Sequence, residues 1–151
     1  MSITLPLEAI AAALEEMVAA AWPEVVSPIL YETEPMRILL DRQSSPQVAV
    51  VWGKVSSEPD WGPTVGAFDL EVDVFYFQRA EAPAAMEAAM RTKAAALLNR
   101  ALDAGNRWSG VAGMHGWRLR DAEAPQASRA WRATGWVVAH IPLEVRFDYE
   151  R

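Results

Sequence analysis

The stretch Ala67–Gln78, AFDLEVDVFYFQ, decides how the rest of the chain is read. Phe68, Leu70, Val72, Val74 and Tyr76 occupy one side of a two-residue repeat, and Asp69, Glu71, Asp73, Phe75 and Phe77 the other. A strand places alternate side chains on opposite faces, so this pattern predicts a long β-strand. The first half of its second face is acidic and the last part aromatic. Such a strand cannot stand alone, and its partners lie in the flanking sequence.

Upstream, Val48-Ala49-Val50-Val51-Trp52 is apolar on both faces and too short for a helix, which predicts a central strand ended by Gly53. Before it, Met36–Asp41 alternates as a half-buried strand does. The segment GKVSSEPDWGPTVG, residues 53–66, is rich in glycine and proline and is expected to be a long loop carrying Trp61. Farther upstream, Thr4 can cap a helix from about Leu5 to Ala21, with Leu7, Ile10, Leu14, Met17 and Val18 as its apolar stripe and Trp22-Pro23 as its stop.

Downstream, Met86, Met90, Ala94, Leu97, Leu98 and Ala101 recur at helical spacing, predicting a helix over 83–102 closed by Gly105-Asn106. Gly116–Asp121 alternates Trp117 and Leu119 against Arg118 and Arg120. The polar DAEAPQASRA, residues 121–130, is expected to be a second long loop. From Trp131 or Gly135 to Tyr149, Val137, Ala139, Ile141, Leu143, Val145, Phe147 and Tyr149 share one face, with His140, Glu144, Arg146 and Asp148 opposite, and Pro142 marks an edge or a bulge. The expectation is one α+β domain over residues 1–151, with a largely antiparallel twisted sheet, a long helix on one face and an N-terminal helix. Sheet and tryptophan exceed what one helix can cover, which points to subunit contacts.

Composition narrows function by exclusion. The chain has no cysteine, which removes disulfides, thiolate nucleophiles and Cys-bearing zinc motifs. A net charge of −6 is the opposite of a phosphate-binding footprint. The longest apolar runs fall short of the roughly 20 residues that cross a bilayer. MSITLPLEAI has no basic region before an apolar run, so no signal peptide is expected. His115 and His140 form no metal spacing. No GxSxG elbow, GxGxxG fingerprint or Walker loop occurs, and no cofactor is expected.

Asp69, Glu71 and Asp73 are the feature most like an active site. They share a strand face, where like charges could raise one pKa for acid–base work. The plainer reading is a solvated strand face, since no lysine or histidine stands beside them in sequence. Trp61 and Trp131 fall in expected loops, where tryptophan anchors interfaces or folds back on the core. Arg129 and Arg132 flank Trp131, giving a basic, aromatic segment suited to an acidic neighbouring subunit. Trp52, Trp61 and Trp117 could instead wall a small-ligand site.

In organisation the chain resembles the tail-terminator and tail-completion (neck) proteins of tailed bacteriophages. The resemblance rests on LEVDVFYFQR leading into AMEAAMRTKAAALLNRAL, and on GWRLRDAEAP leading into RATGWVVAHIPLEVRFDYE. It implies a structural virion protein with no enzyme activity, assembled in the host cytoplasm. Its subunits would form a ring, commonly a hexamer, that caps the tail tube and meets the head-completion protein, and the sheath where the tail contracts. Asp69, Glu71 and Asp73 would then face a lumen through which DNA passes unbound. Trp61, Arg129, Trp131 and Arg132 would serve subunit or partner contacts.

Overall fold

The computed structural model describes residues 6–31, 46–57, 65–79, 83–103, 114–120, 126–128 and 136–150. The elements are α1 (Leu7–Ala21), β1 (Leu30–Tyr31), β2 (Gln47–Ser57), β3 (Val65–Arg79), α2 (Pro83–Leu102), β4 (Met114–Leu119), β5 (Gln126–Ser128) and β6 (Trp136–Glu150). Strand order is β1-β2-β3-β6-β4, with β5 also on β6. Every pairing is antiparallel except β1 with β2. The fold class is therefore α+β with a largely antiparallel sheet.

The spine is the β3–β6 pair, in register from Val65↔Glu150 to Arg79↔Trp136. Both strands run 15 residues, longer than the usual ~3–10. Their alternation is the reason. Leu70, Val72, Val74 and Tyr76 join Val137, Ala139, Ile141, Leu143, Val145 and Phe147 in one core beneath Ile10, Leu14, Met17 and Val18 of α1 and Met90, Ala94, Leu97 and Ala101 of α2. Both helices thus bury their stripes on the same sheet face. Ala49, Phe77, Trp136 and Val138 form a smaller buried cluster on the opposite face. Among the described residues no helix is long and apolar enough to cross a membrane.

Four expectations are corrected. Gly53 does not end β2, which continues to Ser57 and pairs Val55, Ser56 and Ser57 with Leu70, Asp69 and Phe68. Between Trp52 and Val55 the register slips, so β2 carries one extra residue there, a bulge. Glycine fits because a Cβ on Gly53 would lie 2.8 Å from Glu71 Cβ. Gly53→Ala is therefore expected to destabilise by about 1–3 kcal/mol, the usual cost of overpacking, as a lowered urea midpoint with an unchanged slope; a neutral result would show that the bulge yields.

Second, DAEAPQASRA is not all loop, since Gln126–Ser128 pairs with β6 as Gln126↔His140 to Ser128↔Val138. Third, Pro142 lies at neither an edge nor a bulge. Its strand has β3 on one side and β4 and β5 on the other, and the β3 register is unbroken at Asp73↔Pro142. Among the described residues the β4 ladder reaches Leu119↔Leu143 and the β5 ladder begins at Gln126↔His140, so Pro142, which has no N–H, falls between the two partners. Fourth, α1 begins at Leu7 after Pro6, whose carbonyl accepts from Ile10 N at 3.0 Å, with no side-chain cap. Thr4, Met36–Asp41 and Gly105-Asn106 lie outside the described residues.

Candidate functional site

The sheet face away from the helices carries the candidate residues. Asp69, Glu71 and Asp73 stand on β3, and the register places Arg146, Glu144 and Pro142 of β6 opposite them. β4 brings Arg118 opposite Glu144, and Gly116, with φ +132°, takes up a register shift just before it. Arg120 follows β4 on the same side as Arg118. The alternation in Trp117-Arg118-Leu119-Arg120 thus turns two guanidinium groups toward the acids while Trp117 enters the core.

Asp73 is the centre of this arrangement. Arg120 grips it with two parallel hydrogen bonds, Nη1 to Oδ2 at 3.2 Å and Nη2 to Oδ1 at 3.0 Å. His140 Nε2 lies 2.7 Å from Oδ1, and the imidazole stacks on Phe75 with centroids 4.6 Å apart and planes 4° from parallel. Burial pushes the Asp73 carboxyl up, but the hydrogen bonds from His140 and Arg120 outweigh it and hold the pKa below the ordinary carboxylate value. Arg120 also reaches Glu71 at 3.6 Å. Glu71 Oε2 accepts from the Lys54 amide at 3.4 Å, across the bulge.

Arg118 serves the other end. It bonds Glu144 and lies 3.8 Å from Asp69 Oδ2, covering two carboxylates that are each 9% exposed. Asp69 Oδ1 is buried without a hydrogen-bond partner among the described residues. The row is not a bare acidic face, then: no lysine or histidine stands beside it in sequence, and its basic neighbours arrive from β4 and β6, far away along the chain. Among the described side chains, four carboxylates (Asp69, Glu71, Asp73, Glu144) share this face with three guanidinium groups (Arg118, Arg120, Arg146).

The chemistry available here is limited. Carboxylates already engaged by arginine are poor general bases and poor metal ligands, and no His, Asp and Glu side chains group as a metal site among the described residues. Trp52 and Trp117 do not wall one ligand site. β3 and β6 separate their strands, Trp52 stacks on Tyr31 at 5.7 Å, and Trp117 is in the core. Trp61, Arg129, Trp131 and Arg132 lie outside the described residues.

No protein-family model matches the sequence, and no curated protein matches it. A solved structure does match the whole chain: the PVC sheath/tube terminator of an extracellular contractile injection system, determined by cryo-EM in the extended state. The TM-score is 0.51 at 11% sequence identity. The fold is terminator-like. The match covers 100% of this chain but 60% of the terminator chain, so this protein spans about three fifths of its neighbour's length. At 11% identity the likeness extends to the fold and to no individual residue role.

Proposed function

We propose that this protein is a tail-terminator subunit: a structural component of a phage tail or phage-like injection apparatus that self-associates into a ring, commonly six subunits, at the end of the tail tube. The observation that carries the reading is the match of the entire chain to a sheath/tube terminator fold. Its partners are further copies of itself, the tube protein, the head-completion or neck protein and, in a contractile tail, the sheath. Function comes from shape and self-association, with no cofactor and no reaction. It works at the virion tail or neck after assembly in the host cytoplasm.

In this reading the face bearing Asp69, Glu71 and Asp73 looks into the channel. The arginines that engage its carboxylates change the physics expected of it. DNA passes because the lining offers no net positive field to hold phosphates. An acid–base enzyme built on the same row has little support, because Asp73 and Glu144 are held by arginines.

The test is assembly in the presence of the tube. Light scattering and negative-stain imaging of the purified chain, mixed with polymerising tube protein of its own tail, are expected to give rings with a central opening and tubes whose growth stops when a ring binds. A chain that stays monomeric beside growing tubes, with their length distribution unchanged, would falsify the proposal.

A further inference from the structure

The half of α1 nearest its end and the segment leading to β1 enclose a groove of about 280 Å³, lined by Glu15, Val18, Ala19, Val25, Pro28 and Ile29. That is just below the ~300–1,000 Å³ of small-molecule sites, so it suits one large side chain better than a cofactor. Beside it Val26 is 90% exposed, an apolar side chain displayed with no cover among the described residues. Glu15 gives the groove wall a carboxylate, and Glu16 follows it on α1, outside the lining. Glu15 and Glu16 are exposed on α1, a helix with Glu8 and no lysine or arginine, and the Tyr31 hydroxyl donates to Glu15 Oε1 at 2.8 Å, holding that carboxylate in place.

We infer that this groove receives Trp131 of a second copy of the chain, with Arg129 and Arg132 of that copy beside Glu15 and Glu16. The inference rests on the ring reading above and names its subunit contact. Three arguments converge on the occupant. The sequence Arg129-Ala130-Trp131-Arg132 has the opposite charge to Glu15 in the groove wall and to Glu16 beside it on α1, and carries one aromatic of suitable bulk. Tryptophan and arginine are the residue types that dominate interface energetics when seated in a desolvated pocket. A closed ring also needs a heterologous contact, in which each subunit offers two different patches, and a groove and a basic aromatic segment are such a pair.

The experiment uses two variants that each disable one patch. Trp131→Ala removes the knob. Ala19→Trp fills the groove from an exposed helix position and leaves the core untouched. Ring and free subunit are followed by sedimentation over a concentration series, with thermal melts of the free subunit as the control on folding. Each variant alone is expected to raise the concentration at half-assembly about 10- to 100-fold, the range of a central tryptophan contact, with the free-subunit melt unchanged. Mixed in equal amounts, the two supply one intact groove and one intact knob, and heterodimers that cannot close are expected. Glu16→Lys is expected to weaken assembly and Arg132→Glu, combined with it, to restore it.

Several results overturn the inference while leaving the ring intact. Variants that assemble like the wild type do so, as do variants that form normal rings but no longer bind the tube, which would make the groove a tube-protein site. A lowered free-subunit melt for Trp131→Ala, with assembly unchanged, would assign Trp131 to its own chain's core. A wild-type chain that forms no ring even with the tube present fails the terminator reading itself, a result separate from all of these.

Discussion

Trp22→Ala is expected to lower the melting temperature by roughly 10–15 °C, from a loss of about 3–5 kcal/mol spread over a domain of this length. Trp22 closes α1: its amide donates to Val18 O at 2.8 Å, and its ring is fully buried. The indole lies 4.9 Å from the Tyr76 ring, and its Nε1 donates to the Lys93 carbonyl at 2.9 Å. One side chain therefore joins α1, α2 and β3. Replacing it with alanine removes the apolar surface and the aromatic contact, and opens a cavity that three elements must collapse together to fill.

Trp22→Phe separates these contributions. It keeps most of the ring and loses the N–H, so a cost of about 1–2 kcal/mol is expected. The polar cluster beside it carries less. Lys93 and Tyr76 both bond Glu24, and although burial raises the Glu24 carboxyl these bonds lower it further, to a net value below the ordinary one. Glu24 and Lys93 are both about one-third exposed, so solvent screens the pair. Thermal melts by circular dichroism at one fixed protein concentration give the ranking, since assembly also shifts apparent stability. A Trp22→Ala variant melting within a few degrees of the wild type would mean that the three elements are not clamped at this point.

The parts of the fold legible in sequence are those where one face is uniformly apolar. Ala67–Gln78 and Val137–Phe147 declare their buried faces by alternation, and Met90, Ala94, Leu97 and Ala101 declare theirs by helical spacing, because burial acts on each residue separately. What escaped depends on pairing between distant segments. Lys54-Val55-Ser56-Ser57 has no local reason to be extended; the ladder to Phe68–Leu70 provides it, and Gly53 belongs to the bulge that lets it continue. Gln126–Ser128 is polar and is a strand because β6 offers it an edge. Pro142 is misread for the same reason, since its tolerance depends on where two other strands stop.

The candidate site divides along the same line. That Asp69, Glu71 and Asp73 share a face follows from the strand period alone. Their neutralisation follows from β4 lying against β6, which no local pattern announces. The signal was nevertheless present in Gly116–Asp121: Arg118 and Arg120 alternate with Trp117 and Leu119, and a strand with one face in the core must turn both arginines to the other. Each half of the network is local in sequence, and the strand pairing that joins the halves is not.

Asp73→Ala is the second large expected effect, about 2–4 kcal/mol of stability at neutral pH, because it strands the partly buried Arg120 guanidinium. Arg120 and Asp73 are only 17% and 18% exposed in their side chains, so the pair is screened far less than a surface ion pair. The pH dependence identifies the cause. Asp73 has a folded pKa below its ordinary value of 3.8, so the unfolded chain takes up the proton first as pH falls. Its stabilisation is fully present above that ordinary value and is lost as pH drops through the folded pKa. The difference between wild type and variant in urea unfolding should therefore shrink below about pH 4. Asp73→Asn, which keeps the shape and one acceptor but loses the charge, should cost roughly half as much and show the same convergence. A gap that stays unchanged into acid would mean that packing on the strand, and not the charge on Asp73, carries the effect. A loss under ~0.5 kcal/mol would class the pair with ordinary surface salt bridges. Either outcome would leave the orientation of Arg120 and His140 on the sheet face without the anchor assigned to it.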